Sequence, residues 1–141
     1  MNFIVQYNEF CLNYLKSIKK IARSFSLTQA QVLCIQSIPY DGISQINLSN
    51  KLCLDVSTVS RNLEKLKEMQ IIDKAKSTYD QRSSIITLTE KGKIFYKQII
   101  EIIQNDINKI VVNIDIEDLD YFTELLNKIN WEFELSNNRD E

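Results

Sequence analysis

Six polar side chains crowd a short stretch of the chain: Ser57, Thr58, Ser60, Arg61, Asn62 and Lys65. The apolar residues between and after them, Val59, Leu63, Leu66 and Met69, recur at helical spacing, so the stretch reads as one helix with a polar face. Small hydroxyls near a helix N-terminus suit phosphate oxygens or base edges. An arginine one turn on has the forked donors that match guanine. A second polar group follows: Lys74 and Lys76, two apart and so on one strand face, then Asp80 and Arg82 in a polar tip, Ser77–Gln81. This is the chemistry of recognition rather than turnover. The chain has no histidine, which removes the commonest general base and the commonest metal ligand together. There is no Gly-rich phosphate loop, and the carboxylates lie on amphipathic helices or in the tail. We expect no enzyme, no cofactor and no metal site.

The charge distribution agrees. Net charge is −2, but residues 1–100 carry 14 Lys+Arg against 8 Asp+Glu, whereas residues 101–141 carry 3 against 11. A basic front and an acidic back suit a DNA binder of modest isoelectric point, because the phosphate footprint is local.

The elements that must hold these side chains are legible around them. Leu48 and Leu52 sit four apart on a short helix, and Cys53-Leu54-Asp55 breaks it, with Asp55 placed either to cap the next or to sit just before a cap at Ser57. Ser44 and Gln45 start the pair, with Ile46 expected inside. Ile85, Ile86, Thr87 and Leu88 alternate as the second arm of a β-hairpin. Upstream, Phe3, Tyr7, Cys11, Tyr14, Ile18, Ile21 and Phe25 mark a helix from Phe3 to Arg23, with Lys16, Lys19, Lys20 and Arg23 solvated on its second half. Thr28 caps a second helix whose buried face is Ala30, Leu33, Cys34 and Ile38, with Val32 and Ile35 expected partly buried, ended by Pro39-Tyr40-Asp41-Gly42. Downstream, Thr89 caps a long helix in which Gly92 allows close approach to a neighbour, and the apolar pattern continues to about Ile114. Asp115 caps a last helix bearing Leu119, Phe122, Leu125, Leu126, Ile129 and Phe133. Two glycines and one proline in 141 residues favour such long helices.

Helix-turn-helix plus wing resembles the winged-helix regulators of the MarR (multiple-antibiotic-resistance regulator) family. The matching residues are Leu48, Leu52, Leu54-Asp55, Ser57-Thr58-Val59-Ser60-Arg61, Leu63, Leu66, Ile71-Ile72, Asp80-Gln81-Arg82 and Leu88-Thr89-Glu90-Lys91-Gly92. Two residues depart from the family pattern. Gln70 stands where the family usually has a glycine after the recognition helix, so it either tolerates a left-handed backbone or caps differently. Gln81 replaces one wing cation.

The resemblance implies a mostly α fold with a small β-wing, to which Ile43 adds a short third strand: six helices and one MarR-like domain over 1–141. Within it, 28–92 is the DNA-binding lobe, and 1–25 and 93–135 are dimerisation helices. It implies a sequence-specific transcriptional regulator of double-stranded DNA, a homodimeric repressor of a palindromic operator released by a small-molecule effector. Ser57, Thr58, Ser60, Arg61, Lys65, Lys74, Lys76, Asp80 and Arg82 are then the DNA contacts, with Arg82 in the minor groove and Asp80 orienting its guanidinium. Tyr7, Tyr14, Phe25, Tyr40 and Trp131 are candidates to line the effector cavity.

Two alternatives stand beside this reading. One is a thiol-based redox sensor using Cys11, because peroxide-sensing members carry a first-helix cysteine near tyrosines; the tyrosine such members have at the start of the second helix is missing here. The other is a winged-helix protein-interaction module without DNA binding. Cys11, Cys34 and Cys53 lack CxxC spacing and are odd in number, which fits reduced thiols in the cytoplasm. The N-terminus does not read as a secretory signal, and no apolar run approaches a membrane span.

Overall fold

The computed structural model describes residues 2–76 and 84–139. In chain order these form α1 (Phe3–Ser24), α2 (Gln29–Ser37), β1 (Ile43–Ser44), α3 (Gln45–Leu52), α4 (Val56–Glu68), β2 (Ile72–Lys76), β3 (Ser84–Leu88), α5 (Glu90–Ile110), a 3-10 turn (Val111–Asn113) and α6 (Ile116–Arg139). Six α-helices and a small sheet are thus the fold class that the sequence implied. The sheet runs β1-β3-β2, all antiparallel. Ile43 pairs with Ile86, so the short third strand expected from Ile43 is there. The chain divides into two compact units, one up to Ile103 and one from Gln104 on.

The core belongs to the first unit. Ile18 and Ile21 of α1, Val32 and Ile35 of α2, Leu48 of α3, Val59, Leu63 and Leu66 of α4, Ile86 of β3 and Ile99 of α5 are each fully buried. At about 1.5–3 kcal/mol for burying one such side chain, this cluster holds α4 in place. Two expectations about burial need correction. The deepest residues of α2 are Val32, Cys34 and Ile35, with Ile38 buried just after it, while Ala30 and Leu33 are half-buried. That helix is apolar almost all round, so periodicity could not choose its inner face. Ile46 is 55% exposed, not buried. It lies in the first turn of α3, and the helix reaches the core through Leu48, two residues further on.

With two glycines available, three helix ends take left-handed backbone at ordinary residues. Ser26 (φ 55), Cys53 (φ 53) and Gln70 (φ 60) follow α1, α3 and α4. Each closes the same pair of hydrogen bonds, as in Leu27 N–H to the Ala22 carbonyl, Leu54 N–H to Ser49 and Ile71 N–H to Leu66. This is the Schellman closure, in which the bond from the following residue satisfies a carbonyl the helix leaves open. The question posed by Gln70 is therefore answered: it adopts the left-handed conformation itself.

What makes that tolerable at Gln70 is a clamp from the start of α5. Thr89 Oγ1 donates to the Gln70 carbonyl at 2.6 Å, and Thr89 N–H donates to the Ile71 carbonyl at 3.0 Å. Lys91 Nζ reaches the Met69 carbonyl at 2.8 Å. The Thr89 hydroxyl also caps α5 by accepting from Gly92 N–H at 3.0 Å. Gly92 is where the approach is closest: a Cβ there would lie 2.0 Å from the Ile71 carbonyl oxygen. Leu88-Thr89-Glu90-Lys91-Gly92 is thus the fastening of α4 to α5.

Candidate nucleic-acid interface

α4 is positioned from both ends and along one side. Asp55 caps it, accepting from Thr58 N–H at 3.1 Å. The hydroxyl and then the N–H of Thr58 hold the Asp55 carboxyl below the usual carboxylate range, with Arg61 adding a smaller attraction. Ser49 Oγ donates to the Gln45 carbonyl at 2.9 Å within α3. Lys51 Nζ donates to the Ser37 carbonyl at 3.1 Å, tying α3 to the end of α2. Val59, Leu63 and Leu66 form the buried row of α4. At 3.6 residues per turn the opposite row is Ser57, Arg61, Glu64 and Glu68, and all four are exposed.

The expected contact residues separate accordingly. Ser57 and Arg61 share the outward row. Thr58 and Ser60 lie on its flanks, half-buried, and Thr58 serves first as the partner of the Asp55 cap. Lys65 is exposed and stands 4.0 Å from Glu68, an exposed pair worth ~0–1 kcal/mol at most. Asn62 Nδ2 is taken by the Thr58 carbonyl at 3.0 Å. Lys74 and Lys76 are on β2, on the sheet face that carries the buried Ile72; Lys74 is half-buried opposite Ile86, and Lys76 is exposed opposite Ser84. Asp80 and Arg82, with the tip Ser77–Gln81, lie outside the described residues.

Two members of this surface were missed from the sequence. Glu64 is a carboxylate on the outward row between Arg61 and Lys65, and its spacing from Ser57 and Arg61 was enough to find it. Val56, the first residue of α4, is 53% exposed. Its three-residue step to Val59 makes it look like core, so no sequence signal pointed outward.

An arginine and a serine on one exposed helical row, on a helix capped by an aspartate and pinned by its neighbours, can enter a groove and offer donors to base edges and phosphates. Residues 16–99, more than half of the chain, match the family described as Transcriptional regulator SarA/Rot. The chain belongs to this family. The match spans the second half of α1, all of α2 to β3, and α5 as far as Ile99, so the SarA/Rot assignment rests on the elements that hold α4. The chain is 28% identical over 130 residues to the HTH-type transcriptional regulator TcaR of Staphylococcus aureus (strain Newman), covering 91% of this chain and 84% of that protein. A crystal structure of MarR superposes with a TM-score of 0.87 at 18% identity, covering 99% of this chain and 95% of the other. The structure of NadR in complex with 4-hydroxyphenylacetate matches at 0.75 and 18%, with 92% of each chain covered. The MarR resemblance drawn from the sequence is borne out, and this SarA/Rot protein is a winged-helix, DNA-binding transcriptional regulator.

The remaining candidate features can be placed. Cys34 is buried, and burial pushes its thiol up to about 11, so it stays protonated and inert. Cys53 is exposed, and Cys11 is half-buried on α1. A cavity of about 330 Å³ is lined by Ile38, Pro39, Tyr40, Leu88, Lys93 and Tyr96. Of the five aromatic residues proposed for an effector cavity, Tyr40 alone lines this one. Lys93 Nζ sits 4.9 Å from the centre of the Tyr40 ring and 3.0 Å from Glu90 Oε1. Tyr7 stacks on Phe3 at 6.0 Å, and Phe25 packs on Phe95 at 5.3 Å. Among the described residues no three His, Cys, Asp or Glu side chains gather as a metal-ion group, and no helix is long and apolar enough to cross a membrane.

Proposed function

We propose that the protein is a homodimeric repressor that reads a palindromic operator with α4, through Ser57, Arg61 and Lys65, with Thr58 and Ser60 on the flanks. Lys74, Lys76 and Arg82 add phosphate or minor-groove contacts from the wing, and Asp80 orients Arg82. The carrying observation is the two-row division of α4: one row fully buried, the opposite row exposed and headed by Ser57 and Arg61. The stretch 47–89 carries seven Lys+Arg against five Asp+Glu, so one copy has little electrostatic grip, and pairing two copies on a two-fold site supplies the affinity. Residues for pairing are present at both ends of the chain. α1 exposes Phe3, Ile4, Val5, Tyr7 and Leu12, and α6 exposes Ile116, Tyr121, Trp131 and Phe133. That favours 1–25 and 93–135 as dimerisation segments around a DNA-binding lobe at 28–92. A small aromatic acid is a reasonable effector class, since NadR was crystallised with 4-hydroxyphenylacetate. The cytoplasm is the compartment such a repressor requires.

The test is titration against duplex DNA from the gene's own upstream region at several salt concentrations, with the mass of the free protein measured alongside. A steep fall in affinity with salt is expected if phosphates are neutralised, together with a dimer mass. Arg61→Ala should weaken specific binding by about 1–3 kcal/mol and relax discrimination at one base pair, and Arg82→Ala should do the same in the minor groove. Absent or salt-insensitive binding would point to the interaction-module alternative.

A further inference from the structure

We infer that Val56 reads thymine, packing its methyl groups on the C5-methyl of a thymine in the major groove that α4 enters. The inference rests on the proposed use of α4 as the DNA-reading helix.

Val56 is anomalous in its own helix. The apolar positions that bracket a helix start, before the cap and at the fourth helical residue, are Leu54 and Val59; Leu54 is half-buried and Val59 fully buried. Val56 has neither role and is 53% exposed. It adds nothing to the cap, which uses the carboxylate of Asp55 and the N–H of Thr58. As a β-branched residue it is also a weaker helix former than alanine. Its place gives it a use. Side chains on a helix tilt toward the N-terminus, so the first residue projects beyond the end of the helix. The N-terminal residues of a recognition helix are those that meet base edges. It precedes Ser57 in the chain but lies on the side of α4 that carries Val59 and Ser60, next to the Ser57–Arg61 row rather than on it. In the major groove only thymine offers an apolar group, its C5-methyl. A branched apolar side chain at the tip of a helix whose outward row carries Ser57 and Arg61 therefore adds discrimination that hydrogen bonds to guanine or adenine do not supply.

The experiment uses the full-length protein and a duplex selected by it from a random-sequence pool. The duplex is made in two forms, with thymine and with uracil, which differ only by the methyl group. The wild type should bind the uracil form roughly fourfold more weakly per half-site, the effect of losing one buried methyl-sized group. Val56→Ala should bind the thymine form more weakly and respond little to the exchange. Val56→Thr, of similar shape but half as apolar, should fall between. Replacing single thymines should place the effect at one position in each half-site. Wild-type indifference to uracil overturns the inference. So does an equal thymine-to-uracil loss in wild type and Val56→Ala, which would put the methyl effect in DNA shape or in another residue. Failure to select any duplex overturns the use of α4 as a DNA reader and this inference with it, a result distinct from binding that ignores the methyl groups.

Discussion

Replacing Gly92 with alanine sets two effects against each other, and their sizes decide the sign. Inside a helix, alanine is favoured over glycine by about 1 kcal/mol, so helix propensity alone predicts a more stable protein. The new Cβ, however, would lie 2.0 Å from the Ile71 carbonyl oxygen. Carbon and oxygen in contact normally stay roughly 3.3 Å apart, and the atom in the way is backbone, so the start of α5 must withdraw from the end of α4. That withdrawal strains or breaks the clamp: Thr89 N–H to Ile71, Thr89 Oγ1 to Gln70 and Lys91 Nζ to Met69. At about 1 kcal/mol net for each bond the loss is roughly 3 kcal/mol, and overpacking adds about 1–3 kcal/mol. Subtracting the helix gain leaves a destabilisation of roughly 3–5 kcal/mol, or a fall in Tm on the order of 10–20 °C for a chain of this size. Urea and thermal melts of Gly92→Ala, followed by circular dichroism, measure it directly. A variant as stable as the wild type, or more stable, would refute the clamp as a determinant of stability.

Other consequences are smaller and equally direct. Gln70→Gly should stabilise the fold by roughly 0.5–1 kcal/mol, because left-handed backbone costs an ordinary residue about 1–2 kcal/mol and the extra freedom of unfolded glycine takes part of that back; a lower urea midpoint would show that the Gln70 side chain matters more than its backbone. The Asp55 carboxyl titrates below its ordinary value when folded, so its contribution is whole above the unfolded pKa of roughly 4 and is lost as pH falls through the lower folded value. Asp55→Asn, which keeps a capping oxygen but does not titrate, should flatten the acid limb of a stability-against-pH curve, and an unchanged limb would assign that limb to other carboxylates. If Cys11 is a redox sensor, Cys11→Ser should keep DNA affinity and no longer respond to hydroperoxide; an unaltered response removes Cys11 from that role.

Much of the architecture was legible because few residues of this chain are conformationally ambiguous. The period of Val59, Leu63 and Leu66 gave α4 and its buried row. Thr28, Asp55 and Thr89 marked helix starts, since each supplies the oxygen that the first-turn N–H groups lack. The winged-helix resemblance gave the third strand at Ile43, and Ser57 with Arg61 gave the outward chemistry. The inner face of α2 was not legible, because Val32, Leu33 and Ile35 surround it with apolar residues that periodicity cannot rank. The exposure of Ile46 and Val56 was not legible for a related reason: each lies in the first turn of its helix, where an apolar residue can have the right phase and still lie beyond the surface its helix packs on.

By itself, then, the sequence determined which segments are helices, where they begin, and that α4 carries hydroxyls and an arginine opposite an apolar row. Those are local matters of spacing, capping and propensity. Only the tertiary structure decided that Gln70 could stand in a glycine's place. The reason is non-local: the carbonyls of Met69, Gln70 and Ile71 are taken by Thr89 and Lys91, about twenty residues later in the chain, and Gly92 leaves the space for them to meet. Only the tertiary structure, too, showed that Val56 is exposed, because burial depends on what lies opposite a side chain and not on its phase alone.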